Sequence, residues 1–128
     1  MIAERKKSPL RLLAAVLLAV ALLTACTSKA AKAVEKVDLG QKYLTEQNYT
    51  EAVASFTEAI GLDPENIPAY MGRAQAYTGL KQYDDAKADY TTAIEKTEDQ
   101  PYMQAEAYIG RAEVNELTTD NEDALSDY

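Results

Sequence analysis

Cys26 is the only cysteine of the chain, and it closes the stretch "LLAVALLTAC" directly after Leu23, Thr24 and Ala25. A thiol is the side chain soft enough to be alkylated to a thioether, and the two small residues before it suit a protease site. Histidine is absent altogether. The usual general base, most zinc sites and any intramolecular disulfide are therefore excluded. There is also no nucleophile–base pair and no phosphate-binding glycine loop. No enzyme activity, cofactor, metal or small-molecule substrate is expected.

Two arginines pair by pattern with aspartates: Arg73 with Asp89, and Arg111 with Asp127. An earlier segment has Leu39 and Ser55 at the matching places, so the two residue types occur together or not at all. Such an arginine could hold a ligand, or it could bridge two helices. The bridge is the reading adopted, as a partly exposed pair contributing about 0–1 kcal/mol. The acidic clusters Asp84-Asp85 and Asp120 to Asp123 lack the glycine and spaced oxygens of a calcium loop. Placed in a turn or a first helical turn, they serve the helix dipole without an ion.

Along the chain, residues 1–25 form three zones: a basic start with Arg5, Lys6, Lys7 and Arg11, an apolar run from Leu12 to Leu23, and small residues before the cysteine. These are the zones of an export signal. The apolar run is shorter than the roughly 20 residues of a comfortable membrane span. Leu23-Thr24-Ala25-Cys26 resembles the bacterial lipobox. The resemblance implies that Cys26 is diacylglycerylated, that the peptide is cut just before it, and that two or more acyl chains then hold the protein stably on a bilayer. Thr27 is not the aspartate that retains such proteins at an inner membrane, so an outer-membrane address is permitted where the organism has one. Beyond residue 25 the chain carries nine basic and twenty acidic side chains. That surface repels phosphate backbones, and nucleic acid is not an expected partner.

After a short stretch expected as a tether (26–32), the sequence repeats itself. "NYTEAVASFTEAIGLDPEN" at 48–66 matches "QYDDAKADYTTAIEKTEDQ" at 82–100 with an offset of 34 residues, and "AYMGRAQAYTGL" at 69 matches "AYIGRAEVNELT" at 107 with an offset of 38. Periods of this size mark stacked supersecondary units. Ala52, Val53, Phe56, Ala59 and Ile60 share one face of a helix, and Pro64, Pro68 and Pro101 sit at helix boundaries.

The pattern resembles the tetratricopeptide repeat. Leu39, Gly40, Tyr43, Ala52, Phe56, Ala59 and Pro64 carry it in repeat one (33–66). Tyr70, Ala74, Tyr77, Ala86, Tyr90 and Ala93 carry it in repeat two (67–100). Tyr108, Ala112, Ala124 and Tyr128 carry it in an incomplete repeat three (105–128). Lys36 replaces the first aromatic, Glu98 the closing proline of repeat two, and Asn115 a tyrosine of repeat three, which should be the loosest. The implied fold is all-α: antiparallel helix pairs stacked as a right-handed solenoid over 33–128, preceded by a helical signal peptide. A short second helix of repeat three is expected from about Asn121, completed by further chain, a partner or a second copy.

In this family ligands lie in the groove lined by the first helix of each repeat, here Val37, Gln41, Met71, Gln75, Ile109 and Glu113. The family's peptide-carboxylate clamp needs lysine and asparagine at those places and is absent. An apolar floor with amide and acidic edges suits a neutral or basic protein segment. The expectation is a lipid-anchored scaffold for protein–protein interaction on the extracytoplasmic face of a bacterial membrane. The alternative is a non-catalytic accessory or sensor segment of a larger envelope enzyme or transporter continuing beyond residue 128.

Overall fold

The computed structural model describes the backbone of residues 8–126 and the side chains of residues 8–119. It contains five helices and, among the described residues, no strand: α1 (Pro9–Thr45), α2 (Tyr49–Leu62), α3 (Ile67–Gly79), α4 (Tyr83–Lys96) and α5 (Pro101–Ser126). Connections run over 46–48, 63–66, 80–82 and 97–100, short enough to fold consecutive helices back antiparallel. Each helix packs on the next, and α3 also touches α1 and α5. Helices α1, α3 and α5 thus form one layer, with α2 and α4 on the other side.

Local chemistry sets the boundaries. Asn66 caps α3 by accepting the Ala69 amide at 3.1 Å, and proline occupies the first turn that follows. Two turns close alike: Gln47 and Lys81 take left-handed φ values of 58° and 60°. The next amides, of Asn48 and Gln82, donate to the Tyr43 and Tyr77 carbonyls at 2.8 Å. Where proline is missing after α4, Thr97 is buried and its hydroxyl donates to the Ala93 carbonyl at 2.7 Å. Asp84 and Asp85 lie in the first turn of α4, as expected of residues serving its dipole.

The core is small residues wrapped around single aromatics. Phe56 of α2 is fully buried among Ala52, Ala59, Ala69 and Ala76. Gly40 and Gly72 press on its ring from α1 and α3: a Cβ on Gly40 would come within 2.7 Å of Phe56 Cε1, and one on Gly72 within 2.6 Å of the same atom. Burying that ring stabilises the fold by about 1.5–3 kcal/mol. Tyr90 of α4 repeats the device one unit on, lying over Gly110 of α5. The glycines of "YMGRA" and "YIGRA" are thus seats for the aromatic of the preceding repeat.

Three expectations are corrected. Residues 26–32, read as a tether, are helical and continuous with repeat one inside α1. The turn expected before Asn121 is absent, because α5 runs unbroken from Pro101 to Ser126. Thr119 stands where Gln47 and Lys81 adopt positive φ, and a β-branched residue resists that conformation. Its hydroxyl instead donates to the Asn115 carbonyl at 3.0 Å, and that of Thr118 to the Val114 carbonyl at 2.8 Å, both along a straight helix. The acidic cluster from Asp120 to Asp123 consequently sits within a helix, not at its start. Finally, α1 is long and apolar enough to cross a membrane by length and composition, a test that a signal sequence near the N-terminus also passes. The run from Leu12 to Leu23 is too short only when its helical flanks are not counted.

Candidate functional site

Helices α3 and α5 stand side by side in the first layer, and α4 packs behind them. Their separation leaves a cleft of about 430 Å³ lined by Met71 and Gln75 from α3, Tyr90 from α4, and Glu106, Ile109, Gly110 and Glu113 from α5. A smaller pocket of about 140 Å³ continues it towards Thr78, Val114 and Leu117. Gly110 opens the floor, since a side chain there would collide with the Tyr90 ring.

Four of the six groove residues expected from sequence meet in this cleft: Met71, Gln75, Ile109 and Glu113. The other two do not. Val37 is half-buried against the Phe56 cluster, and Gln41 is exposed on α1. Both stand on α1, whereas the cleft opens between α3 and α5. Sequence reasoning missed Tyr90, Glu106 and Gly110. The signal that could have found Gly110 is its match with Gly72 across the offset of 38, both following Ala-Tyr-X.

The cleft is apolar at its floor and acidic at its rim. Met71 is half-buried and Ile109 is 59% exposed. Burial, reinforced by the nearby Glu113 carboxylate, pushes the Tyr90 hydroxyl up to about 12, so it stays a neutral donor at physiological pH. Glu106 and Glu113 are exposed on the same side of α5, and the described cleft residues include no cation. A lysine or arginine entering there gains two carboxylates and meets no like charge.

Arg73 faces away from this cleft and holds repeat two together. Its Nε and Nη2 donate to the two Asp89 carboxylate oxygens at 2.7 and 2.8 Å, and Nη1 donates to Thr57 Oγ1 at 3.1 Å. Asp89 raises the Arg73 pKa through that hydrogen bond, against an opposing cost of burial. The side chains are only 18% and 8% exposed. The sequence estimate for a loosely exposed pair is therefore too low; breaking this forked, largely buried bridge costs about 2–3 kcal/mol. Arg111 reproduces half of it, donating to Thr91 Oγ1 at 3.1 Å and lying 5.3 Å from the Tyr108 ring centre. Its expected partner Asp127 lies outside the described residues. Lys36, in place of an aromatic, pairs with Glu58 at 2.5 Å, and the bond raises its pKa.

Cys26 is exposed on α1, as is every residue from 8 to 32; Ala33 is the first to be buried. The hydroxyls of Thr24, Thr27 and Ser28 all donate to carbonyls of their own helix. Residues 5–7 of the basic start lie outside the described residues. Among the described residues, no group of three His, Cys, Asp or Glu side chains is placed to hold a metal.

Paired helices, small residues seated against single aromatics and a cleft between first helices together define a helical repeat protein. The tetratricopeptide repeat family model matches residues 43–107, and the chain belongs to that family. It is 36% identical over 108 residues to the human DnaJ homolog subfamily C member 7, an alignment covering 81% of this chain and 21% of that protein. It is 43% identical over 58 residues to the human small glutamine-rich tetratricopeptide repeat-containing protein beta, covering 45% and 19%. The chain therefore spans about a fifth of the length of these relatives. The solved complex of the TPR2AB domain of yeast Sti1 with pHSP90 superimposes with a TM-score of 0.64 at 28% identity, over 96% of this chain and 46% of that one.

Proposed function

We propose that this chain is a lipid-anchored scaffold, a right-handed tetratricopeptide solenoid that captures a neutral or basic segment of a partner protein in the cleft between α3 and α5. The observation that carries it is the cleft itself: Met71 and Ile109 on the floor, Glu106 and Glu113 at the rim, and no cation among its described lining. Family membership and the protein-bound state of the Sti1 neighbour support protein binding in general. The acidic rim separates this chain from clamps that hold a carboxylate. Attraction of a basic segment strengthens association at low salt and fades as salt screens it.

Placement at a bacterial envelope rests on the lipobox resemblance of Leu23-Thr24-Ala25-Cys26 and on the exposed apolar surface of α1. In this reading the chain is cut before Cys26, acyl groups on that residue hold the extracytoplasmic face of the membrane, and α1 from Ala33 onward serves as the first helix of repeat one.

The test is direct binding of labelled peptides. Amphipathic helical peptides bearing lysine or arginine should bind, while the same peptides with glutamate in those places should not. Met71→Glu should abolish binding while leaving the helical content unchanged. Equal binding of both peptide sets, or full retention by Met71→Glu, would place the interface elsewhere.

A further inference from the structure

Phe56 and Tyr90 hold the same place in successive repeats, at the offset of 34 residues, and each ring sits on a glycine of the next first helix: Phe56 on Gly72, Tyr90 on Gly110. Tyr90 adds one atom to that device, a hydroxyl, on a residue that is only 5% exposed. A buried tyrosine hydroxyl ordinarily finds a partner. This one makes no hydrogen bond among the described residues, and none of their fully buried polar side-chain atoms lacks one. Its oxygen therefore opens to the cleft that the ring lines. A Cβ on Gly110 would come within 2.8 Å of that oxygen, so glycine there keeps the approach clear.

The two cavities of the cleft share Gln75, Tyr90, Gly110 and Glu113. Three of these bring an oxygen acceptor to the junction: the Gln75 amide, the Tyr90 hydroxyl and the Glu113 carboxylate. Glu113 is near enough for its charge to act on the Tyr90 hydroxyl. Glu106, by contrast, lines the larger cavity alone. Met71 and Ile109 line that larger cavity as an apolar approach. An ammonium is a compact charge with three donors on a flexible four-carbon stem, whereas a guanidinium is a planar fork with five. Three acceptors satisfy the first and leave donors of the second unpaired.

We infer that Gln75, Tyr90 and Glu113 form a subsite for a single lysine side chain of the bound segment, whose stem lies across Met71 and Ile109. The inference rests on the cleft being the partner's seat. Each N–H of the ammonium donates to one of the three oxygens, and Glu113 supplies the opposite charge. The neutral phenol accepts one of those bonds while its own proton remains free to turn towards Glu113. The apolar stem covers apolar floor while its charged head reaches the polar junction. Repeat one has no such subsite, because Phe56 brings no hydroxyl to the matching place.

The test is fluorescence anisotropy with the full-length chain in detergent. The probe is a labelled leucine–alanine helical peptide with one central lysine, blocked at both ends so that the lysine bears its only ammonium. Norleucine in place of that lysine keeps the stem and should weaken binding by about tenfold or more. Arginine there should also bind more weakly than lysine. Tyr90→Phe, which installs the residue type that repeat one carries at this place, should weaken the lysine peptide several-fold and leave the norleucine peptide unchanged. Glu113→Gln should erase the preference for lysine over norleucine. Equal affinity of the two peptides, with both lost in Met71→Glu, would overturn the subsite and leave the cleft reading standing. Arginine bound as tightly as lysine, or a Tyr90→Phe variant that changes neither peptide or both alike, would overturn the subsite as well. Failure of every peptide to bind would overturn the subsite and the cleft reading together.

Discussion

Repeats two and three start from almost the same residues, "AYMGRAQAY" and "AYIGRAEVN", and reach different ends. In repeat two, α3 turns at Lys81 and α4 folds back, so that Ala74 is buried and Arg73 is forked by Asp89. In repeat three, α5 passes through the matching place without turning, and among the described residues the matching arginine bonds only the Thr91 hydroxyl. A repeat's first helix therefore does not carry its own stability. The αL residue that returns the chain supplies it, by bringing a second helix over the small residues. Lysine and glutamine tolerate that conformation better than threonine.

The comparison is broken most forcefully at the aromatic seats. Phe56→Ala should destabilise the soluble form beginning at residue 27 by about 3–4 kcal/mol in urea melts, because a fully buried ring is lost between two glycines. Tyr108→Ala, on the open face of repeat three, should change stability by less than about 0.5 kcal/mol in dilute solution. Comparable losses at the two sites would mean that repeat three is as closed as repeat one.

The paired arginines sharpen it next. Arg73→Gln should cost about 2–3 kcal/mol by leaving the buried Asp89 carboxylate without its fork, whereas Arg111→Gln should cost under about 1 kcal/mol in dilute monomer. A double-mutant cycle of Arg73 with Asp89 reports their coupling, and a cycle value near zero would contradict the geometry.

How much of this was legible in the sequence follows from the kind of signal each feature leaves. The period of 34 residues located α2, α3 and α4, because their apolar faces repeat together and Pro64, Pro68 and Pro101 mark boundaries between them. The Arg73–Asp89 bridge was legible because its partners occur jointly. Its strength was not, since burial by neighbouring helices leaves no mark on either residue. Gly72 and Gly110 were visible as repeats, but a glycine's use depends on what approaches it. The unbroken α5 escaped notice because alignment assigns a turn by correspondence, while backbone conformation at Thr119 is decided by its own Cβ. Val37 and Gln41 fell outside the cleft because they stand on α1, whereas the cleft opens between α3 and α5.

Alkaline pH distinguishes the buried Tyr90 of repeat two. Its folded pKa, pushed up to about 12 from the ordinary 10, means the unfolded chain ionises first. Its contribution is complete below pH 10 and is lost as pH rises towards 12, to a total of about 2–3 kcal/mol. Tyr90→Phe should remove that part of the alkaline loss, while the contribution of lysines with raised pKa, such as Lys96 bound to Glu65, remains. An unchanged alkaline profile in the phenylalanine variant would contradict burial of the hydroxyl.

The gentlest perturbation is hydrogen exchange. In dilute solution, amides of α2, α3 and α4 should be protected, while those from Thr118 to Ser126 should exchange fast, since two unsupported helical turns are marginal in water. Protection through Ser126 equal to that of α4 would remove the contrast between the two repeats.

The central claim, that the cleft between α3 and α5 holds a partner protein, is tested most directly by photo-crosslinking in the native cell. A photoreactive residue replacing Gln75, which is exposed at the cleft, should yield a discrete crosslinked protein. The same residue replacing Ala54, exposed on α2 away from the cleft, should not. The Gln75 adduct should vanish when Met71→Glu is added. An adduct that persists in that variant, or equal adducts from both sites, would contradict the account.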